Sequence, residues 1–150
     1  MKVFTGADEL RAAAGEQLGA SGRMMIDQQR VNAFADATED RQWIHLDPQR
    51  AAAGPFGTTI AHGFLTLSLL PHLIDQTYRV EGATMVINYG LNKVRFPAPV
   101  RVGSTIWAEV ALAEATKVTG GLQLVLHVTL QIEGSMKPGC VADWVSRIYF

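Results

Sequence analysis

A carboxylate and an imidazole, Asp40 and His45, stand five positions apart in the stretch DRQWIH. Held on one short loop, such a pair can grip a single water, one group taking its proton while the other orients the water or supplies a proton. This is the equipment of general acid–base catalysis near neutral pH. The bland alternative is turn chemistry, with Asp40 terminating a helix and His45 stacked on Trp43 at the surface. The chain has four histidines, and the other three read more simply. His62 falls in the first turn of an apolar helix, bonded to main chain or to a second copy. His72 follows Pro71 and reads as structural or exposed, and His127 lies on the polar face of a strand. Asp47 precedes Pro48 and suits a cap for the next helical turn. Cys140, the one cysteine, reads as a small packed residue without a nucleophile's setting.

The pair needs elements to position it, and the two halves of the chain have different rhythms. Helical spacing fills the first half. Thr5 and Asp8 form a capping box ahead of ADELRAAAG, and Asp27 caps a helix running to about Thr38, which places Asp40 just past its end. Pro48 starts a short turn closed by Gly54. After the glycine-rich GPFGTT comes IAHGFLTLSLLPHLIDQTY, apolar nearly all round, which predicts a buried helix loosened or kinked at Pro71. From residue 84 the period becomes two. In GLQLVLHVTLQI, Leu122, Leu124, Leu126, Val128, Leu130 and Ile132 share one face. TMVINYGLNKVRF, STIWAEVALAEA and CVADWVSRIYF are three more strands, and the short breaks between them predict antiparallel neighbours. The fold class is α+β in a single domain spanning residues 1–150: a curved antiparallel sheet packed on a central helix.

Composition narrows the function. A chain of 150 residues that is 48% hydrophobic is expected to build one sizeable core. A net charge of −1 gives no basic field for nucleic acid or an anionic membrane. The N-terminus MKVFTGADELRAAAGEQ has no long apolar run, so neither signal peptide nor membrane span is expected. A lone cysteine excludes an intramolecular disulfide and a CxxC zinc site, and a cytoplasmic location fits.

The stretch DATEDRQWIHLDPQRA followed by GTTIAHGFLTLSLL resembles the MaoC-like hydratases, the (R)-specific enoyl-CoA hydratases of the hot dog fold. NYGLNKVRFP, residues 88–97, is similar to the branch named after nodulation protein N. The resemblance implies a long central helix wrapped by a highly curved antiparallel sheet, and a homodimer with sheets joined edge to edge. It implies reversible hydration of trans-2-enoyl thioesters, carried by coenzyme A or acyl carrier protein, to (R)-3-hydroxyacyl thioesters, with no metal and no redox cofactor. Asp40 and His45 match its acid–imidazole loop, and Ser68 its helix serine, which supports the site by hydrogen bonding. Gln42 and Trp43 depart from the D-x-N-P-x-H of many members. Gln42 still offers an amide, one carbon further out, and Trp43 makes a larger pocket wall than proline.

Gly63, at the start of the predicted central helix, suits the thioester oxygen: its N–H lacks an intrahelical acceptor, and glycine permits close approach. Thr58 and Thr59 are available as caps nearby. His62 joins Gly63, Ser68 and Gln42 as a candidate substrate-binding residue. Lys93 and Arg95 alternate on one strand and either reach the phosphates of coenzyme A or form a solvated edge. Two other functions fit the same fold: a thioesterase, and a non-catalytic acyl-binding subunit that retained the motifs.

Overall fold

The alternating second half of the chain becomes the main sheet of the computed structural model, which describes residues 1–150. The chain opens with β1 (Lys2–Phe4), α1 (Ala7–Ala12), β2 (Gln17–Ala20), β3 (Met24–Met25) and α2 (Gln28–Thr38). Four helices follow: α3 (Trp43–Leu46), α4 (Pro48–Ala52), α5 (Gly63–Ser68) and α6 (Leu70–Ile74). The remainder is strand: β4 (Tyr78–Val80), β5 (Met85–Arg95), β6 (Thr105–Val118), β7 (Gly121–Ile132) and β8 (Cys140–Tyr149). The sheet runs β2–β6–β7–β8–β5, with β3 also paired to β6, and every pairing in it is antiparallel.

Period-two alternation decides which face packs inward. Leu122, Leu124, Leu126, Val128 and Leu130 of β7 are buried, and so are Ile106, Ala108, Val110 and Leu112 of β6. They share one core cluster with Leu65, Leu69, Leu70, Leu73 and Ile74 of α5 and α6. Removing this apolar surface from water is the main force holding helix to sheet. The hot dog arrangement expected from the resemblance is the arrangement observed.

Four local expectations need correction. First, the central helix is shorter than its apolar run. It begins at Gly63 and is interrupted at Leu69 before α6 ends at Ile74. The break is the loosening expected at Pro71, which has no N–H for the preceding turn. Second, the helix is not buried all round, since Phe64 is 69% exposed and Ser68 is exposed. Third, the connection FPAPVRVG does not make a hairpin. β5 pairs with β8, at the far edge from β6. Fourth, α1 is capped by Gly6, with Glu9 rather than Asp8 accepting from Thr5. The parallel pair β1–β4 was not anticipated.

Candidate active site

Asp27 accepts from the Arg30 N–H and starts α2 as expected, and the helix ends at Thr38. Glu39 then takes a left-handed backbone, φ 63°, uncommon for a residue other than glycine. That turn sends the chain out of the helix and presents Asp40 at the surface. His45 lies on the short helix α3 rather than in a loop, its N–H donating to the Gln42 carbonyl. Asp47 caps α4 by accepting from the Arg50 N–H. Trp43 packs against Gly54 and under the Arg50 guanidinium, so it braces α3 to α4 and does not stack on His45.

The segment between α4 and α5 is pinned from two sides. Ile60 N–H donates to the Ile44 carbonyl and Ala61 N–H to the Val100 carbonyl, while Val102 N–H donates to the Thr59 carbonyl. Thr59 therefore does not cap α5. Its hydroxyl bonds the Gln28 side chain, whose amide donates in turn to the His45 carbonyl at 2.7 Å. His62 is the residue that caps α5, and it does so without a side-chain bond into the helix.

These ties bring three polar groups together. Asp40, His45 and His62 each offer a ligating atom, and those atoms lie within 4.8 Å of one another. His45 is 6% exposed and His62 2%, whereas Asp40 is exposed. The Asp40 carboxylate forms no ion pair, and the neighbouring Arg41 pairs with Asp36. The imidazole of His45 is set by its own contacts. Its Nδ1 lies 2.7 Å from the Ile60 carbonyl oxygen. A carbonyl only accepts, so Nδ1 carries the hydrogen and Nε2 of the neutral ring keeps the lone pair. His62 stacks on this ring at 3.8 Å between centroids, with planes 24° apart. Two imidazole planes so nearly parallel cannot both contain one ion at bonding distance. The group therefore suits a shared water better than a metal.

Burial holds the His45 pKa below the ordinary imidazole value. His62 pushes the same way, while the bond to Ile60 and the charge of Asp40 oppose it. A general base must be neutral to act, and in that role His45 would stay neutral to a pH below the usual imidazole pKa of about 6.5. The acid limb of kcat/KM is expected below that pH, with activity lost as pH falls through it. A pH–rate profile checks the position of the limb.

Gly63 follows His62 as the first residue of α5, and its N–H has no main-chain acceptor. A Cβ at Gly63 would sit 3.1 Å from the Phe96 ring, so the absence of a side chain lets that aromatic ring close over the helix start. Ser68 lies elsewhere. Its hydroxyl donates to the Phe64 carbonyl and it faces a cavity of about 380 Å³. Leu67, Pro71, Tyr89, Leu91 and Trp144 also line that cavity. The structure thus does not bond Ser68 to the acid–imidazole pair. Gln42 is exposed, and only its carbonyl is engaged. Nor is the ring Nε2–H of His62 free for a substrate oxygen, because it donates to the Asp40 carbonyl at 2.9 Å. Lys93 and Arg95 are exposed on β5, away from any ion pair, with Arg95 donating to the Val94 carbonyl. His127 bonds Asp143 on the outer face of the sheet, and Cys140 is buried with its thiol pushed up to about 11. The sequence does not mark Gln28, Phe34 or Phe96 as site residues; Phe34 reads only as part of the helical spacing of α2. None carries a titrating group, and each reaches the site only through tertiary packing.

The sequence profile of the MaoC like domain matches residues 9–132. The 3-hydroxyacyl-thioester dehydratase Z of Mycobacterium tuberculosis is 55% identical over 148 residues, covering 98% of each chain. Nodulation protein N of Rhizobium meliloti is 42% identical over 145 residues, covering 95% of this chain and 90% of that one. Among solved structures, an (R)-hydratase from A. caviae superposes with a TM-score of 0.66 at 28% identity, covering 85% of this chain and 93% of that one.

Proposed function

Because the chain belongs to the MaoC-like dehydratase family, we propose that it is a lyase that hydrates trans-2-enoyl thioesters and dehydrates 3-hydroxyacyl thioesters, and that its product is the (R)-3-hydroxyacyl thioester of coenzyme A. The observation carrying this reading is the Asp40–His45–His62 group, gathered within 4.8 Å beside the free N–H of Gly63. Neutral His45 takes a proton from water through Nε2 while the Asp40 carboxylate accepts that water's other hydrogen. The water oxygen bonds to Cβ, and the alkene electrons move toward the thioester carbonyl. The oxygen that gains enolate charge accepts from the Gly63 N–H. The imidazolium then returns its proton to Cα, so one water adds across the double bond and the enzyme is unchanged. Each positioned acid or base contributes on the order of 100- to 10,000-fold. Loss of one oxyanion donor costs about 100- to 1,000-fold in systems where it has been measured.

In this reading the acyl chain runs along the helix from Gly63 toward the cavity beside Ser68, whose walls are chiefly apolar. Lys93 and Arg95 serve the phosphates of coenzyme A. Reversing both charges is expected to raise KM for crotonyl-CoA roughly 3- to 10-fold, from the modest worth of exposed charge pairs. KM for crotonyl-pantetheine, which lacks those phosphates, should not change; steady-state kinetics on the two thioesters compares them. The expected homodimer suits β5, an edge strand whose outer side pairs with nothing in the chain. Met85, Val86, Ile87, Tyr89 and Leu91 expose 42–58% of their surface there. No helix is long and apolar enough to cross a membrane, and we place the reaction in the cytoplasm.

The test is to mix purified protein with crotonyl-CoA and with longer enoyl-CoAs, following loss of the conjugated enoyl absorbance and, in parallel, release of free thiol. Absorbance loss without thiol supports hydration. Thiol release without hydration assigns a thioesterase instead, and tight binding without turnover assigns an acyl-binding subunit.

A further inference from the structure

We infer that His62 is a positioning residue of this site: one imidazole ties the Asp40 main chain to the α5 start while its face fixes the His45 ring. The inference rests on the hydratase reading, because the two groups it holds are the proposed pair. Asp40 and His45 come from separate local elements. Asp40 follows the end of α2 and is exposed; His45 is buried on α3. Without a tie their separation would rest on the short connection 41–44, whose Arg41 and Gln42 are exposed. His62 supplies that tie from a third element, which is itself pinned through Ala61 to Val100.

The contacts divide the ring's work. Nε2 donates to the Asp40 carbonyl at 2.9 Å. Since that acceptor cannot donate, the hydrogen is on Nε2 and Nδ1 keeps a lone pair. One face stacks on His45 at 3.8 Å, and Phe34 of α2 packs against the ring at 5.0 Å. His62 is thus wedged between an aromatic side chain and the proposed base, with 2% of its surface exposed. Its Nδ1 is buried and has no hydrogen-bond partner. An apolar ring would fill the same space with no unsatisfied nitrogen, and a purely packing role would favour one. What the imidazole adds is the donor to Asp40 and a polar ring against His45.

The titratable groups acting on His45 are Asp40 from the loop and His62 from the start of α5; α2 presents only neutral Gln28 and Phe34. Of the two, Asp40 favours protonation of His45 and His62 opposes it. Removing His62 therefore moves the acid limb of kcat/KM to higher pH.

Two variants separate the contacts. His62→Phe keeps the stacked ring and removes the donor, whereas His62→Gln keeps a donor amide and removes the ring. Each is expected to lower kcat for crotonyl-CoA about 10- to 100-fold, the scale of a small misplacement of reacting groups, with KM nearly unchanged. In His62→Phe the acid limb should also shift upward. A second measurement needs no variant. Imidazole 15N shifts of the wild-type protein at neutral pH should report His45 as the Nδ1–H tautomer and His62 as the Nε2–H tautomer. Wild-type kcat retained in both variants, an unmoved limb in His62→Phe, or the opposite tautomer at either ring overturns the inference. Absence of enoyl-CoA hydration by the wild-type protein instead rejects the hydratase reading, and the 15N result still stands on its own.

Discussion

His45→Gln is expected to lower kcat for enoyl-CoA hydration by about 100- to 10,000-fold, the usual worth of a positioned base, or about 3–5 kcal/mol in the barrier. Glutamine is close in length and keeps an amide, but it has no basic nitrogen. Water can still be held near Cβ, yet nothing takes its proton at neutral pH. The Ile60 carbonyl, which accepts from His45 Nδ1 at 2.7 Å, retains a candidate donor in the glutamine amide. The fold is therefore expected to survive, and circular dichroism with a thermal melt checks it. Stopped-flow or steady-state absorbance assays on crotonyl-CoA give the rate. A rate near wild type would remove His45 from the chemistry.

Asp40→Asn is expected to cost a similar factor, with smaller structural consequences. Asp40 is exposed, and its side chain forms neither an ion pair nor a hydrogen bond within the protein; only its main-chain carbonyl is engaged, by His62. Asparagine preserves size and that carbonyl. It replaces a carboxylate that accepts a water hydrogen and balances a forming imidazolium with a neutral amide. The more discriminating measurement is the double variant. Groups that act on the same water fail together, so Asp40→Asn combined with His45→Gln should be scarcely slower than either alone. Multiplied losses in the double variant would mean that the two side chains act independently.

How far the sequence could carry these conclusions depends on where each contact is encoded. The strands were legible because a half-buried strand imposes a period of two. Leu122 through Ile132 fall on the buried face they were assigned. The pair itself was legible because both members lie within six residues of each other, just after a helix whose cap, Asp27, and end, Thr38, could be read. The partner of β5 was not. FPAPVRVG is short enough for a hairpin, and nothing local records that β5 crosses to β8. The exposed side of α5 was hidden for a similar reason, since Phe64 is apolar in sequence yet lies on the surface of the chain. His62 could be placed at a helix start, but its stack on His45 and its bond to Asp40 join positions 17 and 22 residues away. Contacts of that kind follow from the path of the chain through Ile60 and Ala61, which pattern alone does not fix.

The central claim is that one water, held by Asp40 and His45 on one side of the alkene, supplies both atoms of the addition. Hydration of crotonyl-CoA in D2O tests it through the stereochemistry of the isolated 3-hydroxybutyryl-CoA. The account predicts an (R) hydroxyl at C3 and a single deuterium at C2 delivered to the same face. Deuterium on the opposite face, or an (S) hydroxyl, would contradict it.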